Sequence, residues 1–224
     1  MRSLGISLAF ALFLVVLIPA AESAQKEGLA GRVAQLEAQV AAMEEILQFV
    51  YVEEGEINNL AGPHWIIEGA NVHVRSGSGR TTDGCPLIPP DANLCESLTG
   101  LGNLIVGYNE EPRYRGFPEI RVGSHNLIVG DFHSYWSFSG FVAGGNNLVS
   151  APNASVCGGS GNRATGFASS IAGGQANVAS GIRSSVSGGL GNVASGESSS
   201  VSGGQEREAP DDFNWAAGSL LEPN

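Results

Sequence analysis

A repeat of 15 residues in the C-terminal half restricts the fold more than any other feature of this chain. Val156, Ile171, Val186 and Val201 are spaced by 15, and so are Asn162, Asn177 and Asn192. Gly166, Gly181 and Gly196 keep the same spacing, and a Gly-Gly pair recurs at 158–159, 173–174, 188–189 and 203–204. Self-similarity at a fixed short period is the mark of a solenoid. Each period holds two short extended pieces, such as SSVS and NVAS, between glycine corners, which leaves no room for a helix. Glycine suits corners that need positive φ. Stacked periods place Asn over Asn, so amide side chains bond along the stack while backbones pair between turns about 4.8 Å apart. The expectation is a parallel β-solenoid with Asn162, Asn177 and Asn192 as a structural column. The hexapeptide solenoid fits poorly, because 15 is not a multiple of six.

Earlier residues follow the pattern with longer intervals. NLIVG at Asn103 and Asn126, then NLVSA at Asn147, align with NVASG at Asn192, giving Asn spacings of 23, 21, 15, 15 and 15. The two long intervals hold most of the aromatics, Tyr108, Tyr114 and Phe117 in one and Phe132, Tyr135, Trp136 and Phe138 in the other. Tyr114, Phe117, Tyr135 and Trp136 are the candidate ligand surface, since aromatic side chains anchor interfaces and stack on sugars. The alternative is that these rings plug the head between chains or shield its first turns. HWIIEGANVHVRSG, from His64, alternates like two strands and reads as the first turns. At the far end Phe213, Trp215, Leu220 and Leu221 are expected to cap the stack.

Ahead of the repeat, Leu29, Val33, Leu36, Val40, Met43, Leu47 and Val50 step by 4, 3, 4, 3, 4 and 3. That is a heptad, with Val33, Val40 and Leu47 at a and the others at d. Arg32 at g and Glu37 at the next e have the spacing of an interchain salt bridge in a parallel coil. Val at a with Leu at d favours dimers, while Ile46 at g widens the apolar face towards more strands. An amphipathic helix lying on its own domain is the other reading of so short a stripe.

The first residues read as an export signal. Arg2 precedes an apolar run from Leu4 to Ile18, followed by Pro19 and small residues that offer cleavage near Ala21 to Ala24. The run is short of the roughly 20 residues of a spanning helix, and no transmembrane segment is expected after cleavage. Export implies oxidising conditions, where Cys85 and Cys95 can bridge the proline-rich loop between them. Chain-entropy reasoning gives such a loop about 3 kcal/mol or a little less. Cys157 falls where other copies have Ala172, Ser187 and Ser202, a slot for small residues.

Acidic residues outnumber basic ones 22 to 11, which argues against a nucleic-acid partner. His64, His73, His125 and His133 show no metal-ligand spacing, although Asp131 and His133 sit two apart. No catalytic motif, cofactor motif or metal motif appears. The domain reading is therefore 1–24 signal peptide, 25–53 coiled-coil stem, 54–102 leading strands and disulfide loop, 103–204 solenoid head with two aromatic insertions, and 205–224 cap.

SVSGGLGNVASG at 185–196, with its copies at 155–166 and 170–181, resembles the head repeats of YadA-like trimeric adhesins. NLAGPHWIIEGANVHVRSGSG and GLGNLIVGYNE through GSHNLIVGD look like bacterial exported proteins that place a short coil before such a head. The repeat match covers residues 100–218. The resemblance implies a left-handed parallel β-roll, a homotrimer, and a structural or adhesive role, secreted, periplasmic or at the cell surface, towards a cell-surface, matrix or glycan ligand. The chain departs from that family in placing its coil before the head and in showing no C-terminal membrane anchor.

Overall fold

The computed structural model describes residues 28–86, 95, 97–111 and 120–218. They divide into two compact units, one ending at Val72 and one beginning at His73.

The first unit opens with helix α1 (Leu29–Leu47). Its heptad positions Leu29 to Leu47 all lie on the helix and none is buried. Val50 does not continue the stripe. It begins β1 (Val50–Glu53), which pairs antiparallel with β4 (His64–Ile67), Val50 opposite Ile67. Between them β2 (Glu56–Ile57) and β3 (Leu60–Ala61) close a hairpin. Asn58 and Asn59 turn it with φ of 52° and 67°, the doubly left-handed geometry that Asn tolerates and two-residue hairpins favour. The expectation that HWII forms a first solenoid turn is thus corrected: its partner is β1, and the pairing is antiparallel.

The second unit is a parallel β-solenoid. An eight-stranded sheet stacks β5 (Leu104–Val106), β6 (Leu127–Asp131), β8 (Phe141–Gly145), β10 (Ser155–Val156), β12 (Ser170–Ile171), β14 (Ser185–Val186), β16 (Ser200–Val201) and β18 (Trp215–Ala216). A six-stranded sheet stacks β7 (Ser134–Tyr135), β9 (Leu148–Val149), β11 (Arg163–Ala164), β13 (Val178–Ala179), β15 (Val193–Ala194) and β17 (Glu208–Ala209). Successive regular turns pair at offset 15, for example Ser170 with Ser185 and Val178 with Val193. Inside, the column Val156, Ile171, Val186, Val201 packs with Ala164, Ala179, Ala194 and Ala209 in one narrow core. Alternate residues of such short strands face opposite ways, so each strand contributes one side chain to it.

The glycine corners have a steric cause. Gly159, Gly174 and Gly189 have φ of 76°, 84° and 90°, and a methyl group on any of them would run into the carbonyl of the glycine one turn on. The turns therefore approach too closely at this corner for any side chain.

Two features of the register differ from the sequence alignment. Asn103 and Asn126 precede strands of the eight-stranded sheet, whereas Asn147 and Asn162 precede strands of the six-stranded one. The two groups are half a turn out of step. The column that leads the eight-stranded sheet is Asn103, Asn126, Gly140, Ala154, Ser169, Ser184 and Ser199. Residues 131–141 are consequently no insertion, because they contain β7 and complete a turn of 14 residues between Leu127 and Phe141. At the other end the solenoid continues through β18, with Trp215 in register with Ser200. Residues 205–216 form a further turn, and Phe213 (78% exposed) and Trp215 (65%) cover no core. Leu220 and Leu221 lie outside the described residues.

Candidate functional site

Three of the expected site features can be placed. Cys85 and Cys95 are joined by a disulfide with Cα atoms 5.8 Å apart, and Cys157 is free and exposed.

Asn147, Asn162, Asn177 and Asn192 are fully buried, but the bonding is not chiefly amide to amide. Each Oδ1 accepts the backbone N–H of the next ladder residue, Asn162 from Asn177 at 2.9 Å and Asn177 from Asn192 at 2.9 Å. Each Nδ2 donates to the carbonyl four residues back and to a glycine carbonyl one turn on, for Asn177 Gly173 and Gly189, both at 3.0 Å. The side chain thus ties a corner of its own turn to the backbone of the next. His133 holds the first place in this ladder. Its Nδ1 accepts from the Asn147 N–H at 3.2 Å, and its Nε2 lies 3.1 Å from the Val129 carbonyl, again four residues back. Burial pushes its pKa down, outweighing the raising effect of these contacts and of Asp131. A neutral imidazole with its proton on Nε2 supplies the same acceptor and donor as an amide, so His133 is engaged at both nitrogens and is no free metal ligand.

The aromatic expectation is corrected for Tyr135. It is only 3% exposed and belongs to the core, with its hydroxyl donating to Asn109 Oδ1 at 3.2 Å. Phe138 is also buried, and Trp136 is half-buried with Nε1 enclosed and without an acceptor. Tyr135 and Phe138 fill the early turns within their own chain, and Tyr135 offers no surface. Tyr114 and Phe117 lie outside the described residues.

A concavity that the sequence reading did not single out lies where the chain approaches the solenoid. Its volume is about 430 Å³, and His73, Arg75, Ser76, Arg80, Thr81 and His125 are in its wall. The stretch between the arginines, Ser76-Gly-Ser-Gly79, bends at Gly77 and Gly79 with φ of 91° and 82°. Asp83 pins this loop from within. Its Oδ1 accepts from the hydroxyls of Ser76, at 2.6 Å, and Ser78. Its Oδ2 accepts from the Thr99 N–H at 2.9 Å and hydroxyl at 2.7 Å. Burial raises the Asp83 pKa, but the hydroxyls of Ser124, Ser76 and Ser78 and the Thr99 N–H outweigh it and hold the carboxyl well below the usual range. The Ser76 N–H donates to His125 Nε2 at 3.1 Å, which leaves the proton of a neutral ring on Nδ1. That atom is 3.9 Å from Asp83 Oδ1 and makes no hydrogen bond.

Although serine, histidine and aspartate meet here, they are not arranged for nucleophilic catalysis. The Ser76 hydroxyl is bound to the carboxylate itself, and His125 Nε2 is occupied by a backbone donor, so no base addresses a nucleophile. The arrangement holds a rigid, cation-lined loop. A signal for it was present: the run RSGSGR places two arginines around small flexible residues in an otherwise acidic chain. Among the described residues no group of three or more His, Cys, Asp or Glu is placed to hold a metal ion, and no helix is long and apolar enough to cross a membrane. No family model, curated protein or solved structure matches the chain.

Proposed function

We propose that this chain is an exported, non-catalytic structural or adhesive protein in which a short parallel coiled coil brings together three chains that each carry a rigid β-solenoid head. The observation that carries the reading is the heptad face of α1. Leu29, Val33, Leu36, Val40, Met43 and Leu47 repeat at 4 and 3, and every one is exposed within its own chain. A 19-residue helix with no side-chain N-cap and no buried residue is marginal alone in water. Burying a Leu or Val side chain contributes about 2 kcal/mol, so sister helices are the natural source of its stability. The spacing of Arg32 and Glu37 favours a parallel arrangement. Three chains rather than two follow from the likeness of the repeat to YadA-like heads, together with Ile46 widening the stripe.

The leader pattern and the Cys85–Cys95 bridge support export to an oxidising compartment, at the cell surface or secreted. The regular turns present small side chains and serve as scaffold. The test is the mass of the mature chain in solution by light scattering, expected at three chains. Leu36→Asp should shift it to one, and a wild-type monomer at micromolar concentration overturns the proposal.

A further inference from the structure

The concavity at Ser76–Thr81 carries an inference independent of assembly, since all its wall residues belong to the second unit of a single chain. We propose that it is an oxyanion site, accepting a sulfate or phosphate group either free or carried on a sugar. Four observations converge. Arg75 and Arg80 both stand in the wall, and neither guanidinium has an ion pair among the described residues, whereas Arg121 and Arg183 are paired with Glu111 and Glu197. His73 adds an imidazole beside them. The loop between the arginines turns through two left-handed glycines. While the N–H groups of Ser76, Ser78 and Arg80 are taken up by side chains, those of Gly77 and Gly79 have no hydrogen-bond partner among the described residues and can donate to an anion. Finally, the loop is held in shape before any ligand arrives, because Ser76 and Ser78 are fastened to Asp83 and the Ser76 N–H to His125. Preorganised donors lose little freedom on binding, and guanidinium–oxyanion bonds are among the stronger hydrogen bonds.

Two effects oppose an anion here and can be weighed. The chain carries a net charge of -11, but at physiological ionic strength that field is screened over about 8 Å, so the arginines in the wall dominate locally. Asp83, the carboxylate that fastens the loop, is outside the wall, its side chain is fully buried, and both its oxygens already accept hydrogen bonds. The volume of about 430 Å³ lies within the range of roughly 300–1,000 Å³ typical of small-molecule sites. It can take a sugar ring as well as the oxyanion.

The experiment titrates the full mature chain with sodium sulfate, with sodium phosphate and with a heparin-derived disaccharide, following amide and imidazole resonances and heat. Binding is expected with shifts at Ser76, Gly77 and Gly79, and Arg75→Ala with Arg80→Ala should weaken it at least about tenfold. Binding of the inorganic ions as tightly as the disaccharide would identify a free-ion site, and a preference for the disaccharide would identify a sugar-borne one. Either supports the proposal. Arg183→Ala, which removes an exposed arginine elsewhere, should leave binding unchanged. No binding of any probe at 10 mM (about the weakest affinity worth calling a site), equal binding by the double variant, or equal loss in Arg183→Ala overturns it. The far-ultraviolet spectrum and melting temperature of the double variant verify that its fold is intact.

Discussion

Two periodic polar columns run through the solenoid, and they should differ sharply in what they contribute. Asn177 is fully buried and makes bonds in three directions. Asn177→Ala takes the acceptor from the Asn192 N–H and the donor from the Gly173 carbonyl. The Gly189 carbonyl keeps its bond from the Gln175 N–H. The buried Asn192 N–H is left unsatisfied at about 1–3 kcal/mol, and the half-buried Gly173 carbonyl adds about 1 kcal/mol, so the loss should be about 2–4 kcal/mol. Asn177→Asp keeps the shape and the acceptor but removes both donors and buries a charge, and it should cost more than the alanine. Ser184 is equally buried, yet its hydroxyl has no partner, as is true of Ser169 and Ser199 in the same column. Ala154 already occupies that place two turns earlier, so Ser184→Ala should be neutral or stabilising. Denaturant unfolding and thermal melts of the three variants provide the ranking. For a unit of this size 3 kcal/mol corresponds to a fall of about 6–12 °C. Hydrogen exchange at the Asn192 amide gives a local readout, which should rise steeply in Asn177→Ala alone. A change below about 0.5 kcal/mol for Asn177→Ala, or equal effects of Asn177→Ala and Ser184→Ala, would refute the assignment of the ladder.

Backbone conformation gives a second set of outcomes. Ala176 has φ of 56° where Gly161 and Gly191 stand in neighbouring turns, so Ala176→Gly should stabilise by about 0.5–1 kcal/mol, relief of left-handed strain exceeding the added freedom of the unfolded chain. Gly174→Ala should do the reverse by more than about 3 kcal/mol in the same melts, because the Gly189 backbone occupies the space. The lowered pKa of Asp83 means that its stabilisation is complete above the unfolded value of about 3.9 and is lost as pH falls through the native one. The stability gap between wild type and Asp83→Asn should therefore shrink from pH 5 to pH 2, and a constant gap would contradict the burial and bonding of that carboxylate. Tyr135→Ser should lower the melting temperature like any large-to-small core change, about 3–5 kcal/mol, rather than act on a surface interaction alone.

The uniform turns were legible because their period, apolar column and glycine corners all obey one spacing. The half-turn misplacement of Asn103 and Asn126 has a physical origin: an Asn at either corner can accept the backbone N–H of the following turn, as Asn103 does from Asn126 at 2.8 Å. The motif NL[IV][VS] is therefore ambiguous between the two sheets. His133 was obscured for the related reason that an imidazole substitutes for an amide only through its donor and acceptor geometry, not its sequence pattern. The Asn58-Asn59 turn was available in principle as a hairpin signal between apolar residues. The oxyanion loop depends on the contacts of Asp83 with Thr99 and of Ser76 with His125, pairs too distant in sequence for spacing to reveal.

Each regular turn receives from its predecessor the same surface that it presents to its successor, at Asn, at glycine and at both strands. Removing residues 170–184 would bring Ser155 against Ser185 with every bond type restored. Whole turns are therefore interchangeable units of length, and an in-frame duplication or loss of one repeat changes the reach of the protein by about 4.8 Å while leaving both ends intact. Copy number, rather than substitution, is the quantity through which recombination can tune how far such a protein extends.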